Sequence, residues 1–179
     1  MTIFVLRTIL PAVATDAQTG APARRSSASA GSGLSETEMR AWQALLHGHH
    51  QVTRTLDAEL RAEHGVSMAD YDVLLRLARA PGRALRMSGL AQRVMMSPSG
   101  LTRAVDRLVG AGLVRRDRLE DDARAMLARL TDEGRQVLRR AARTHLRGVR
   151  EHFTGLLTET QLRNVASALE TITGPHEPH

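Results

Sequence analysis

Cysteine is absent from the 179 residues, so disulfides, thiolate metal sites and cysteine-based redox sensing are all excluded. Lysine is absent too, and all 25 basic side chains are arginine. Aromatic residues make up only 2%, with a single Trp and a single Tyr, so Trp42 and Tyr71 stand out. There is no apolar run of about 18 residues, which excludes a spanning helix and leaves no membrane association to expect. Residues 1–14 are apolar, but Arg7 interrupts the run instead of preceding it and Pro11 follows soon after. That layout fits a signal peptide poorly, and a cytoplasmic location is expected. No Ser, His and acid grouping has nucleophile-elbow spacing, and no glycine-rich phosphate loop follows a strand. Catalysis and a cofactor are therefore not expected.

What is present is a hydrophobic fraction of 42%, enough to build the core of one ordinary domain. The formal net charge is +6, and it is concentrated: residues 83–129 hold ten arginines against five acids. A basic patch gathered in one segment favours a polyanionic partner, because neutralising phosphates releases their counterions.

Along the chain, residues 15–33 are mostly Ala, Ser, Gly, Thr and Pro, too polar to offset the entropy of ordering, so 1–33 reads as a disordered tail. Ser35-Glu36-Thr37-Glu38 has the form of a capping box. Met39, Trp42, Leu45, Leu46, His49, Val52, Leu56 and Leu60 then keep helical spacing over about 35–62. Gly65 breaks that helix, Ser67 caps a second, and Pro81-Gly82 stops it. A short third helix is predicted from Ser88 to Val94. A three-residue turn then leads to a fourth, and this pairing is a helix-turn-helix. Residues 113–116 and 125–130 are short enough for strands, with charged residues 117–124 as the hairpin between them. Thr131 can cap a long helix running to about Leu157, and Thr158-Glu159-Thr160-Gln161 opens a last one ending near Ile172, with 174–179 a polar tail. The expected fold is mainly α with a small β-hairpin wing: a winged helix-turn-helix over about 67–131, flanked by helices over about 35–62 and 131–173.

The fourth helix carries the chemistry. Ser97 caps it and Pro98 sits at its first position, where a missing N–H is no loss. Leu101, Val105 and Leu108 recur at i, i+4, i+7 and must face a core, which turns Ser99, Gly100, Thr102, Arg103 and Asp106 outward. Small hydroxyls and a glycine let a helix approach base edges closely, and Arg103 can contact guanine through two bonds. Arg107 lies toward the edge of that face, where a phosphate contact is expected. Asp106 would repel phosphate, so an arginine, either Arg103 or one from the wing, is expected to neutralise it. In the hairpin, Asp122 can brace the loop while Arg124 enters the minor groove.

The histidines call for a separate test. His47 and His50 share a helix face at i, i+3, but no carboxylate or Cys completes a tetrahedral set, so no metal is expected. His49 falls on the apolar stripe, as a buried polar residue or a ligand contact. His145 and His152 are expected in dimer packing. Trp42 and Tyr71 read first as core residues and second as the lining of a small-molecule pocket, with Asp72 or His49 supplying polarity.

Taken together, Tyr71-Asp72-Val73-Leu74-Leu75, the run from Leu90-Ala91 through Ser99-Gly100 to Leu108, Gly112-Leu113-Val114, Asp122-Ala123-Arg124 and Leu130-Thr131-Asp132-Glu133-Gly134 resemble the MarR family, the multiple-antibiotic-resistance regulators. The resemblance covers about 34–172. It implies a homodimer whose first, fifth and sixth helices intertwine, each winged helix reading half of a pseudo-palindromic operator on double-stranded DNA. It also implies a small, often aromatic or phenolic, effector that releases the DNA, and a repressor as the commonest role. Ser99, Thr102 and Arg103 match the family's recognition-helix contacts, and Asp122 and Arg124 match its wing. Ala123 departs from the Arg or Gly often found there, and the absence of Cys places the chain outside the peroxide-sensing branch. The rival expectation is a winged-helix interaction module that binds protein or structured RNA without reading bases.

Overall fold

The computed structural model describes residues 33–94, 96–119 and 122–174; the expected tails, apart from Gly33 and Gly174, lie outside these residues. The chain divides into two units at His49 and His50. The first half of helix α1 (Glu36–His64) lies in one unit, and its second half begins the other. Within the second unit follow α2 (Met68–Arg79), β1 (Ala84–Arg86), α3 (Met87–Arg93), α4 (Pro98–Gly110), β2 (Val114–Leu119), β3 (Asp122–Leu130), α5 (Asp132–His152) and α6 (Glu159–Thr173).

The caps are where the sequence puts them. Ser67 and Asp70 exchange hydrogen bonds at the start of α2, and Thr158 and Gln161 do so at α6. Ser97 Oγ accepts from the Gly100 amide, and Thr131 Oγ1 accepts from the Gly134 amide to start α5. Gly112, at φ +72°, makes the left-handed turn that leads from α4 into β2, a conformation open to glycine at little cost.

Three boundaries differ from expectation. The hairpin strands run further, over Val114–Leu119 and Asp122–Leu130, because antiparallel pairing continues through the charged residues that had read as loop. β1 was not foreseen: its three residues are too few to show a period. It pairs antiparallel with β3 to give the order β1-β3-β2. Finally, α5 stops at His152, and a single 3₁₀ turn over Thr154–Leu156 replaces its expected last turn.

Leu74, Leu77, Leu90, Val105 and Leu108 are fully or almost fully buried, and with Val114, Leu130 and Leu138 they join α2, α3, α4, the sheet and α5 around one core. Such burial is the main term holding the recognition unit together. Gly134 permits the junction between β3 and α5: a Cβ there would lie 2.1 Å from the Leu113 carbonyl oxygen.

Two core expectations are corrected. Trp42 is 44% exposed and His49 is also exposed, because the apolar stripe on the first half of α1 has no cover among the described residues of its own unit. Tyr71 is buried as expected and stacks on His145, ring centroids 4.8 Å apart and 20° from parallel. His145 is thereby placed inside the chain. His152 is also engaged within the chain, with Nε2 2.5 Å from Glu59 Oε1. Both imidazoles thus have a partner within the chain and stay half-buried.

Candidate nucleic-acid interface

The amphipathic pattern of α4 gives it two opposite edges. Leu101, Ala104, Val105 and Leu108 are buried, while Ser97, Ser99, Thr102, Arg103, Asp106 and Arg107 are exposed and Gly100 is half-buried. The outward residues singled out from the sequence thus share one solvent-facing surface. Arg103 makes no ion pair among the described residues, so its guanidinium is available to a ligand. Ser97 Oγ and Ser99 Oγ stand 3.3 Å apart at the helix start, and Thr102 Oγ1 donates to the Pro98 carbonyl at 3.0 Å.

Asp106 is neutralised, as its position requires. The arginine is Arg116 on β2, at 2.8 Å, so the sheet supplies the charge and Arg103 keeps its own. The surface toward a polyanion carries less repulsion as a result.

Arg107 departs from its expected use. Its Nη2 donates to Asp70 Oδ1 at 2.7 Å, and the Asp70 side chain is only 6% exposed. Asp70 also accepts from the Ser67 hydroxyl and amide, at 2.6 and 3.0 Å, so one carboxylate ties α4 to the cap of α2. The chain of bonds goes on through the Met68 amide to Asp57 on α1, which Arg61 also grips. Burial raises the Asp57 carboxyl, but the bonds from Arg61 and the Met68 amide outweigh it and hold it below the usual carboxylate value. Asp70 was missed as a partner of Arg107. The sequence shows its capping role through Ser67, but a bond across 37 residues leaves no periodic signal.

The sheet repeats this use of acids. Arg115 and Arg129 are direct cross-strand partners, an arrangement that places like charges side by side. Asp117 relieves it by bonding both, at 3.2 and 2.6 Å, and Arg129 also donates to the Gly82 carbonyl. Asp122 and Arg124 lie on β3 by their backbone, and their side chains fall outside the described residues.

The candidate pocket residues do not converge in the same way. Asp72 is bonded to Arg76 at 3.1 Å, and the Tyr71 ring is covered by His145. Trp42 and His49 are exposed in their own unit.

A three-helix core, a helix whose polar edge faces out, and a three-stranded antiparallel sheet whose long hairpin follows it define a winged helix-turn-helix protein. The sequence profile of the MarR family matches residues 64–125. The chain is 32% identical over 123 residues to the HTH-type transcriptional regulator PecS of Dickeya dadantii, covering 66% of this chain and 73% of that one. Among solved structures, AbsC, a MarR family transcriptional regulator from Streptomyces coelicolor, is 36% identical with a TM-score of 0.71, over 78% of this chain and 94% of AbsC. Sco3205, a MarR family regulator from the same organism solved in complex with DNA, is 33% identical with a TM-score of 0.73, over 82% of this chain and 92% of that one. This chain belongs to the MarR family of transcriptional regulators.

Proposed function

We propose that the chain is a ligand-responsive repressor that binds a pseudo-palindromic operator as a homodimer, one α4 in each half-site. As a member of the MarR family it is a DNA-binding transcriptional regulator. The observation that carries the reading is the exposed edge of α4, where Ser99, Thr102 and an Arg103 unpaired among the described residues face solvent opposite a fully apolar edge. Residues 67–131 serve as the winged helix and 35–62 with 131–173 as the dimerisation helices, between the tails 1–33 and 174–179. Asp122 and Arg124 serve the wing, in the minor groove. The regulator works without a catalytic step or a cofactor, in the cytoplasm. Among the described residues no helix is long and apolar enough to cross a membrane.

Dimerisation is supported by uncovered apolar surface. In the first unit Met39, Trp42, Leu45 and Leu46 are exposed along α1; in the second, Val165, Leu169 and Ile172 are exposed at i, i+4, i+7 along α6, which buries none of its residues. Stripes of that kind mark an interface more often than a free surface. The effector is a small aromatic or phenolic molecule. It releases DNA only if it binds better to a conformation whose two recognition helices are wrongly spaced. Tyr71 with Asp72, and Trp42 with His49, remain the residues proposed to meet it.

A gel shift with the intergenic DNA upstream of the chain's own gene tests this reading. Cooperative retention of one inverted repeat over random duplex is the expected result. Equal weak binding to every duplex would instead favour an interaction module for protein or structured RNA.

A further inference from the structure

We propose that Glu59, Glu151 and His152 form a binding site for a divalent transition-metal ion of the zinc class. One carboxylate comes from the second half of α1, and the other two groups end α5. A ligand atom from each residue lies within 4.8 Å of the other two. Metal bonds of about 2.0–2.2 Å would draw such atoms to roughly 3.4 Å from one another, a side-chain adjustment with no backbone rearrangement.

The second observation is the state of the Glu59 carboxylate. Oε1 contacts His152 Nε2 at 2.5 Å, but Oε2 is sealed from solvent with no hydrogen-bond partner among the described residues. It is sealed because Gly148 lets α5 descend onto it: a Cβ at 148 would lie 2.7 Å from Oε2 and 2.6 Å from Leu56 Cδ2. Buried carboxylate oxygens are ordinarily bonded, since losing water without replacement is costly. A Glu59–His152 hydrogen bond satisfies Oε1 alone and leaves Oε2 unserved. A cation held by all three, with the Glu59 carboxylate turned so that Oε2 leaves Gly148 for the metal, answers that lack.

The donor set selects the ion. Imidazole with carboxylates suits zinc and its neighbours, whereas calcium and magnesium favour all-oxygen shells. Two carboxylates balance a 2+ charge, and the carbonyl end of α5, where Glu151 and His152 sit, carries partial negative charge that favours a cation. Arg147 is the nearby group that would oppose it, and it is bonded to Glu63. Three protein ligands leave a fourth position to water. Spacing along the chain gives no sign of this set, because Glu59 and His152 are 93 residues apart.

The test is zinc titrated into the full, tag-free chain in competition with a chromophoric chelator. One zinc per chain is expected. Glu59→Gln, Glu151→Gln and His152→Ala should each weaken it by about tenfold or more. The double variant His47→Ala with His50→Ala should bind as the wild type does. Glu151 is exposed, so Glu151→Gln is expected to keep the wild-type circular dichroism, and zinc should raise the melting temperature of the wild type but not of this variant. Unchanged affinity in Glu59→Gln and His152→Ala would overturn the assignment, as would calcium binding in preference to zinc or the absence of any bound zinc.

Discussion

Arg107 sits on the exposed side of α4, yet its guanidinium reaches back to a carboxylate that water scarcely touches. Arg103, one turn earlier, has no such duty, so the two arginines should fail differently when removed. Arg103→Ala is expected to cost about 1–3 kcal/mol of operator affinity and to relax sequence preference, with little change in stability. Arg107→Ala leaves Asp70 with a buried oxygen unserved and should lower folding stability by about 1–3 kcal/mol. Urea unfolding beside a gel shift separates the two, and equal stability loss in both variants would contradict these roles. A third residue acts through pH. Burial holds the His145 imidazole below its ordinary value of 6.5, so the folded state takes up its proton less readily than the unfolded chain. Its stabilising effect is complete above that ordinary value and is lost as pH falls toward the lower folded one. His145→Phe keeps a ring against Tyr71 and should reduce the loss of urea resistance between about pH 7 and about pH 5; an unaltered loss would remove His145 as its source.

At the scale of elements, the close approach of β3 to α5 rests on the missing side chain of Gly134. Gly134→Ala drives a methyl group into the Leu113 carbonyl and against Leu130, and the turn from α4 into the sheet must shift. A loss of about 1–3 kcal/mol is expected from such overpacking, measurable by chemical denaturation. An unchanged midpoint would mean that the junction yields freely. The elements were legible where their signals are local. The caps at Ser67, Ser97, Thr131 and Thr158 and the apolar edge of α4 each depend on neighbours within a few residues. β1 was hidden because it exists only as a partner of β3, and the end of α5 because nothing in the residues after His152 forbids another helical turn.

For the whole molecule, the exposed Val165, Leu169 and Ile172 of α6 are the stripe proposed to meet a second chain. Leu169→Glu places a charge in the middle of the exposed stripe and should yield monomers by sedimentation, with operator binding weakened because two half-sites can no longer be held at once. A dimer of wild-type strength would exclude α6 from the interface. The candidate site was legible to a similar degree. Its outward face could be read from period alone, but Asp70 with Arg107, Asp106 with Arg116, and Glu59 with His152 are pairings made by the fold. Trp42 shows the same limit from the other side: helical spacing tells which face is apolar and is silent on what covers it.

The Thr102 hydroxyl gives its proton to the carbonyl of Pro98. What it can offer a base edge is therefore lone pairs alone, suited to the amino hydrogens of adenine or cytosine and unable to donate to O6 of guanine. Arg103, beside it, has only hydrogens to give. Two neighbouring side chains of α4 thus address complementary atoms, Thr102 the amino hydrogens and Arg103 the ring nitrogens and carbonyl oxygens that every base pair sets side by side in the major groove.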